Sequence, residues 1–267
     1  MIHVSKKRLD MLSAWIVPVA LLGSWFCLYK LEGSHNSFVT DPLRVFGMLL
    51  RNWSAFVQNA WLSMCRLFGG VVLGTIFGAA SGLALARVAR LRVLFSPTLQ
   101  TLSSIPFMVL IPFFLMVFGF GEVFRVSVIT ASTFLLVNAQ AFHAVRQLNP
   151  DYFELAAIYE KSSWQLVKRV LVPASLPAIV GALRFSLLLA WLAVALAEKA
   201  VAEWPNGGLG YYILRAKEQG QFIDMFASVI VLALLAWVFD QVVGRLQRQV
   251  SRWCDTVEAV DAREGQV

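Results

Sequence analysis

Long apolar blocks alternate with short polar segments along the 267-residue chain. A helix needs about 20 apolar residues to cross a hydrocarbon core of about 30 Å, and six blocks approach that length. They span residues 11–29, 67–86, part of 93–121, 126–145, 172–197 and 222–244. The pattern predicts an all-α, polytopic membrane protein with six transmembrane helices.

The first block follows Lys6, Lys7 and Arg8, an arrangement that also begins a secretory signal peptide. Its apolar run exceeds the usual signal core, and no A-x-A cleavage site follows it. We therefore expect this block to remain as the first span.

The lysines and arginines between the spans fix the predicted orientation by the positive-inside rule. With six spans both termini share one side, and that side carries fourteen basic residues: Lys6, Lys7, Arg8, Arg87, Arg90, Arg92, Arg146, Lys161, Lys168, Arg169, Arg245, Arg248, Arg252 and Arg263. The other side carries seven: Lys30, Arg44, Arg51, Arg125, Lys199, Arg215 and Lys217. Both termini are therefore predicted to be cytoplasmic.

A further helix is predicted between the first two spans. Asp41 and Pro42 have the pattern of an N-cap and first turn. The apolar residues that follow recur at helical spacing, namely Leu43, Phe46, Leu50, Trp53 and Val57. We expect this helix to lie along the outer membrane interface.

The most polar stretch between spans predicts two short cytoplasmic helices. Asn149-Pro150 is a helix start, and Ser162-x-x-Gln165 has the spacing of a capping box. An elbow then falls near residues 160–162, and Pro173 and Pro177 belong to the opening turns of the fifth span. An ordinary loop is the alternative, whereas a helix pair is suited to docking in a cleft of another protein.

Several motifs in this order resemble one family. Glu154-Leu155-Ala156-Ala157, followed by Leu171-Val172-Pro173 and Leu176-Pro177, resembles the EAA motif, the coupling-helix signature of bacterial ABC importer permeases. Further motifs are similar to the nitrate/taurine/aliphatic-sulfonate branch: Ser104-Ile105-Pro106, Leu110-Ile111-Pro112, Phe118-Gly119 and Gly208-Leu209-Gly210-Tyr211. The resemblance covers roughly residues 55–253 and implies a type I importer permease in the bacterial inner membrane.

The resemblance also implies partners and the residues that meet them. Such permeases pair with a second permease chain, two ATP-binding cassette ATPase subunits and an extracytoplasmic substrate-binding protein. ATP and Mg²⁺ belong to the ATPase, and this chain has no GxxxxGK[ST] sequence. The residues expected to couple to the ATPase are Glu154, Leu155, Ala156, Ala157, Glu160, Lys161, Ser162, Pro173 and Pro177.

Glu160 departs from the family pattern, which places glycine at that position. Glycine permits backbone conformations that a residue with a side chain resists. We expect either a partner cleft that accepts the carboxylate or a heterodimer whose other permease chain carries the glycine.

These features divide the chain into three predicted parts. Residues 1–54 hold the first span and the interfacial helix. Residues 55–253 form a permease core of five spans with coupling helices at 150–171, and residues 254–267 form a cytoplasmic tail.

Two features are candidates for the substrate pathway. Pro106 and Pro112 remove helical hydrogen bonds and should bend or break the third span, which a membrane protein tolerates only where the freed groups face protein or water. Residues 101–112 are therefore the predicted pathway-lining element, and its candidate residues are Pro106, Phe107, Met108 and Pro112. Arg184 lies about 12 residues into the fifth span, hence about 18 Å deep, where a cation needs a partner or water. It either attracts an anion or braces the span against neighbouring carbonyl groups, Asp240 or Glu198.

Two features of the second span point to packing and anchoring. Gly70, Gly74, Gly78 and Gly82 recur every four residues and predict close approach of another helix. Arg66, near the outer end of this span, is predicted to snorkel to the interface.

Other function classes find little support. The net charge of +7 lies in cytoplasmic clusters, so nucleic-acid binding is not expected, and the three cysteines and three histidines have no metal-ligand spacing. Ser81 and His143 suggest an intramembrane protease, but Ala79 stands where a GxSG motif needs glycine. A passive channel does not need the helix pair.

The predicted function is that of a permease subunit, not itself an enzyme, in an ATP-driven importer. The resemblance implies a small organic anion as substrate, an aliphatic sulfonate or taurine. Nitrate, bicarbonate and a pyrimidine or vitamin precursor are the alternatives.

Overall fold

The computed structural model describes residue 16 and residues 19–31, 40–148, 165, 167–201 and 207–264, and every regular element in these ranges is helical. The elements in chain order are α1 Val19–Leu31, α2 Pro42–Arg51, α3 Trp53–Arg87, α4 Ala89–Ser104, α5 Phe107–Phe118, α6 Glu122–Arg146, a π-helix Val167–Leu171, α7 Val172–Ala200, α8 Leu209–Glu218 and α9 Phe222–Glu264. The predicted all-α class is confirmed.

Four of these helices are long and apolar enough to cross a membrane: α3, α6, α7 and the Phe222–Val250 part of α9. A fifth span results if α4 and α5 are counted as one broken span. Helix α1 is apolar but shorter than the about 20 residues a span requires. The six-span count and the cytoplasmic termini therefore stay predictions.

The predicted break of the third span is confirmed at Pro106. Helices α4 and α5 meet there at a bend of 111°. Ile105 is extended (φ −80°, ψ 127°), as a residue that precedes proline prefers. Pro112 lies inside α5 without ending it. Of the two prolines, only Pro106 therefore breaks the helix.

The described residues divide into two compact units, the first drawn from residues 1–58 and 212–231. Its core contains the buried side chains of Val45, Phe56 and Ala227. Aromatic contacts extend this core, because Trp25 stacks on Phe226 with ring centroids 5.7 Å apart. These contacts join α1, α2 and the first turns of α3 and α9.

Helix α2 begins as predicted and ends early. The Asp41 side chain accepts a hydrogen bond from the Leu43 amide at 2.9 Å, and the helix ends at Arg51 with Asn52 as its C-cap. Trp53 and Val57 belong to α3, so the prediction of one helix through Val57 was wrong. Asparagine favours helix ends over helix interiors. The apolar residues on both sides of Asn52 nevertheless keep one helical spacing, so the spacing alone did not reveal the break.

An apolar face of α2 remains exposed within the described chain. Leu43 is 70% exposed and Leu50 is 80% exposed, while Pro42 and Val45 are buried. A helix with one unburied apolar face beside a span is typical of an interfacial position.

The second unit, drawn from residues 59–211 and 232–267, contains the main hydrophobic core. Val128 and Ile129 of α6 pack with Ala190 and Val194 of α7, and all four side chains are buried. Small residues on α7 let the two helices pack closely.

The glycine stripe of α3 lies directly against α6, as predicted. A Cβ atom at Gly70 would lie 2.5 Å from Ile129 Cβ, and one at Gly74 would lie 2.6 Å from the Thr130 carbonyl oxygen. At Gly78 and Gly82 the nearest atoms are carbonyl oxygens of α6, at 2.9 and 2.5 Å. No side chain fits at these four positions without moving a helix.

The predicted coupling helices lie mostly outside the described residues. Residues 149–164 and 166 are not described, and they include Glu154, Leu155, Ala156, Ala157, Glu160, Lys161 and Ser162. The described part resumes with the π-helix and α7. Pro173 lies in the first turn of α7 and Pro177 lies inside it, as predicted for the opening of the fifth span.

Candidate functional site: a buried charge cluster

A fully buried carboxylate lies at the end of α7. Glu198 is 0% exposed and accepts hydrogen bonds from Ser63 Oγ at 2.8 Å and from Arg66 Nη1 at 2.8 Å. The Gly210 amide donates to its other oxygen at 2.8 Å. A buried carboxylate needs such donors, because burial without them costs several kcal/mol.

The side chains of Ser63, Arg66 and Arg125 hold the two ends of the segment that joins α7 to α8. Arg125 Nη2 donates to the Val201 carbonyl oxygen at 2.9 Å, and Arg66 Nη1 donates to the Gly207 carbonyl oxygen at 3.2 Å. The Leu209 amide donates to Ser63 Oγ at 2.9 Å. The segment is thus anchored at both ends to α3 and α6.

Glycine is required at Gly208 and Gly210 for this anchoring. Gly208 has a φ of +83°, and a Cβ atom there would lie 2.1 Å from Glu198 Oε1. A Cβ atom at Gly210 would lie 2.7 Å from Ala195 Cα. The Gly-Leu-Gly motif therefore lets the backbone reach the buried carboxylate.

A second carboxylate joins the two arginines. Arg66 donates to Glu122 from Nε at 2.7 Å and from Nη2 at 2.5 Å, and Arg125 Nη1 donates to the same Glu122 oxygen, Oε1. The Glu122 side chain is 57% exposed, whereas those of Arg66 and Arg125 are 4% and 1% exposed. We call Ser63, Arg66, Glu122, Arg125 and Glu198 the charge cluster; its two cations and two anions balance.

The prediction that Arg66 snorkels to the interface was wrong. Snorkelling assumes that the cation has no nearer partner, but Glu198 and Glu122 lie within hydrogen-bond distance of it. One sequence signal pointed to this arrangement: Arg66, Glu122, Arg125 and Glu198 all lie near those ends of the predicted spans that face the same side.

Arg184 forms a separate ion pair with Asp240. Its Nε and Nη2 donate to the two Asp240 carboxylate oxygens at 2.8 and 3.0 Å, which joins α7 to α9. The two side chains are 42% and 39% exposed. A half-exposed ion pair within apolar helices requires water or protein beside it. Contact between Arg184 and substrate stays a prediction.

The large apolar side chains of α5 divide between two environments. Phe107 and Phe114 pack against the main core with ring centroids 6.2 Å apart. Met108 and Phe113 are 53% and 65% exposed. Lining of a pathway by Pro106, Phe107, Met108 and Pro112 stays a prediction.

An open apolar cavity of about 790 Å³ lies between α3, α5 and α6. Its walls include Leu73, Phe77, Phe114 and Phe118. Glu122 is the one charged residue of this lining. The cavity therefore brings an apolar surface next to the exposed member of the charge cluster.

The residues that suggested a protease have other partners. Ser81 Oγ donates to the Phe77 carbonyl oxygen at 2.7 Å and accepts from Asn138 Nδ2 at 2.6 Å. His143 contacts the Phe142 ring at 5.4 Å between centroids. Within the described part of the chain, no group of three or more His, Cys, Asp or Glu side chains is arranged to hold a metal.

The fold is that of a multi-pass helical membrane protein in which the α4–α5 pair is bent at a proline. The chain belongs to the family of binding-protein-dependent transport system inner membrane components, whose model matches residues 45–255. The predicted identification as an ABC importer permease of the nitrate/taurine/sulfonate branch is confirmed, as is the inner-membrane location.

The chain is similar to SsuC of Bacillus subtilis (strain 168), a permease protein named for aliphatic sulfonates transport, with 27% identity over 95% of this chain and 91% of the relative. It is similar to the bicarbonate transport permease CmpB of Synechococcus elongatus, with 29% identity over 71% of this chain and 68% of the relative. These relatives are membrane components of transporters, not enzymes.

A solved structure of the methionine ABC transporter MetNI in inward-facing conformations has a chain of the same fold. The TM-score is 0.64 and the sequence identity 21%, and the match covers 74% of this chain and 97% of that one. The helical arrangement is therefore that of an ABC importer permease.

Proposed function

We propose that this permease imports a small organic anion, an aliphatic sulfonate or taurine, driven by separate ATPase subunits that grip residues 150–171. The observation that carries the substrate class is the similarity to a sulfonate permease over 95% of this chain. The EAA-like sequence supports the coupling role of Glu154, Leu155, Ala156 and Ala157.

Helix α7 supplies a mechanical connection for this coupling. It runs without interruption from Val172 to Ala200. With a rise of 1.5 Å per residue, its first turn and Glu198 are roughly 40 Å apart. A displacement of the coupling helices thus moves a continuous helix whose far end holds the charge cluster.

The proposed assembly contains two ATPase subunits, a second permease chain and an extracytoplasmic substrate-binding protein. The family name itself specifies dependence on a binding protein. Glu160, in place of the motif glycine, favours either a matching cleft in the ATPase or a heterodimer with a permease chain that carries glycine.

Bicarbonate is the second candidate substrate, because a bicarbonate permease is 29% identical to this chain over 71% of its length. Both candidates are small oxyanions. They differ in the alkyl group, which a sulfonate carries and bicarbonate lacks.

Reconstitution tests the proposed substrate. The permease, its ATPase and its binding protein are placed in liposomes, and ATP hydrolysis is measured with taurine, ethanesulfonate, nitrate or bicarbonate. We expect taurine or ethanesulfonate, presented by the binding protein, to raise hydrolysis several-fold. Stimulation by bicarbonate alone would select the second candidate, and no response to any of the four anions would overturn the proposal.

A further inference from the structure

The two carboxylates of the charge cluster are bound very differently. Glu198 is fully buried and receives donors from Ser63, Arg66 and the Gly210 amide. Glu122 is 57% exposed, and within the described chain it accepts hydrogen bonds from the two arginines. Glu198 is therefore enclosed by its donors, whereas more than half of the Glu122 side chain is exposed.

The backbone before Glu122 has room to move. Gly119 and Gly121 precede it with φ values of +69° and +148°, and a Cβ atom at either position would have no atom within 4 Å beyond the adjacent residues. Glycine populates conformations of both signs of φ. A change in these two residues would carry the Glu122 carboxylate away from the arginines.

The surface under Glu122 is suited to an oxyanion. Arg66 presents Nε and Nη2 in parallel to the two Glu122 oxygens, and Arg125 Nη1 converges on one of them. A guanidinium fork of this kind binds the oxygens of carboxylates, sulfonates and phosphates in the same way. The neighbouring cavity wall, with Leu73, Phe77 and Phe114, is apolar.

The geometry points to an anion-binding site at which Glu122 occupies the place of the substrate's charged group. When Glu122 swings out, Arg66 and Arg125 bind a small alkyl oxyanion, and its alkyl group enters the cavity between α3, α5 and α6. The predicted orientation puts this site at the outer end of the helices, where a binding protein delivers substrate. The inference rests on the proposed import of organic anions and assigns residues to it.

Removal of the Glu122 charge, which competes with the substrate anion for the two arginines, tests this assignment. The assembled permease–ATPase complex is placed in nanodiscs without binding protein or ATP, and ethanesulfonate binding is measured by calorimetry. We expect Glu122→Gln to bind ethanesulfonate at least tenfold more tightly than the wild type. Dimethyl sulfone, a neutral molecule of similar shape, should bind neither complex.

Two variants serve as matched controls. Glu218→Gln changes an exposed carboxylate at the end of α8 and should bind as the wild type does. Glu122→Gln/Arg125→Gln removes one charge of each sign and leaves the Arg66–Glu198 pair, so the tighter binding should be lost. The thermal midpoint gives a second readout, because a ligand that binds only the folded protein raises it.

Glu122→Asp keeps the test decisive if the Gln variant does not assemble. Its shorter side chain retains the charge but withdraws the carboxylate from the two guanidinium groups, so ethanesulfonate should bind more tightly than to the wild type. The inference is overturned if both Glu122→Gln and Glu122→Asp bind ethanesulfonate no more tightly than the wild type and the Glu218→Gln control. Failed sulfonate import with tighter binding in Glu122→Gln would refute the proposed function alone.

Discussion

Replacement of Glu198 by alanine is expected to lower sharply both the yield and the thermal midpoint of the folded permease. The change removes the carboxylate that pairs with buried Arg66 and accepts from Ser63 and Gly210. Loss of one partner from a buried ion pair costs about 3–5 kcal/mol, a large part of a typical stability of about 5–15 kcal/mol. The measurements are the yield of monodisperse complex in size-exclusion chromatography and its thermal midpoint.

Two comparisons separate the buried pair from a general effect of charge. Glu218→Ala removes an exposed carboxylate and should leave yield and midpoint unchanged. Glu198→Gln keeps an oxygen that can accept from Ser63 but loses the charge, so its midpoint should lie between those of the wild type and the alanine variant. A Glu198→Ala complex as stable as the wild type would refute the structural role of the cluster.

Alanine at Gly74 and Gly82 is expected to force α3 and α6 apart. The added Cβ atoms would lie 2.6 Å from the Thr130 carbonyl oxygen and 2.5 Å from the Asn138 carbonyl oxygen. Backbone atoms cannot rotate away as side chains can, and overpacking typically costs about 1–3 kcal/mol per site. The double variant should therefore show a lower thermal midpoint than either single variant.

The same helix provides the control for this prediction. Gly69 also lies in α3, but a Cβ atom there has nothing within 4 Å. Gly69→Ala should be neutral or stabilising, because alanine favours a helix over glycine by about 1 kcal/mol. Equal behaviour of Gly69→Ala and Gly74→Ala would contradict the close approach of α3 and α6.

The parts of the fold that the sequence predicted are those encoded by local spacing. Four glycines at intervals of four lie on one face of any α-helix, and a proline cannot donate a backbone hydrogen bond wherever it stands. The glycine contact and the break at Pro106 followed from these two properties. The end of α2 at Asn52 did not, because a one-residue interruption leaves the apolar periodicity intact.

The charge cluster depends on contacts between residues far apart in sequence. Arg66 lies 56 residues from Glu122 and 132 residues from Glu198. Spacing along the chain carries no information on such pairs, so Arg66 was predicted to snorkel alone. The Asp240 partner of Arg184 could be named in advance because the set of charges within the predicted spans is small.

The proposed place of the chain in an ATP-driven importer requires direct contact between residues 150–171 and a separate ATPase. Cross-linking tests this contact most directly. Ala157→Cys is introduced into a chain whose Cys27, Cys65 and Cys254 are replaced by serine. Benzophenone maleimide is attached to the new cysteine, and the complex in membranes is irradiated.

We expect mass spectrometry to identify the ATPase subunit as the protein captured from position 157. Lys217→Cys is the matched control, because Lys217 is exposed and lies on the predicted outer side. It should capture no ATPase. Capture from position 217 with none from position 157, or capture from neither, would contradict coupling through this segment.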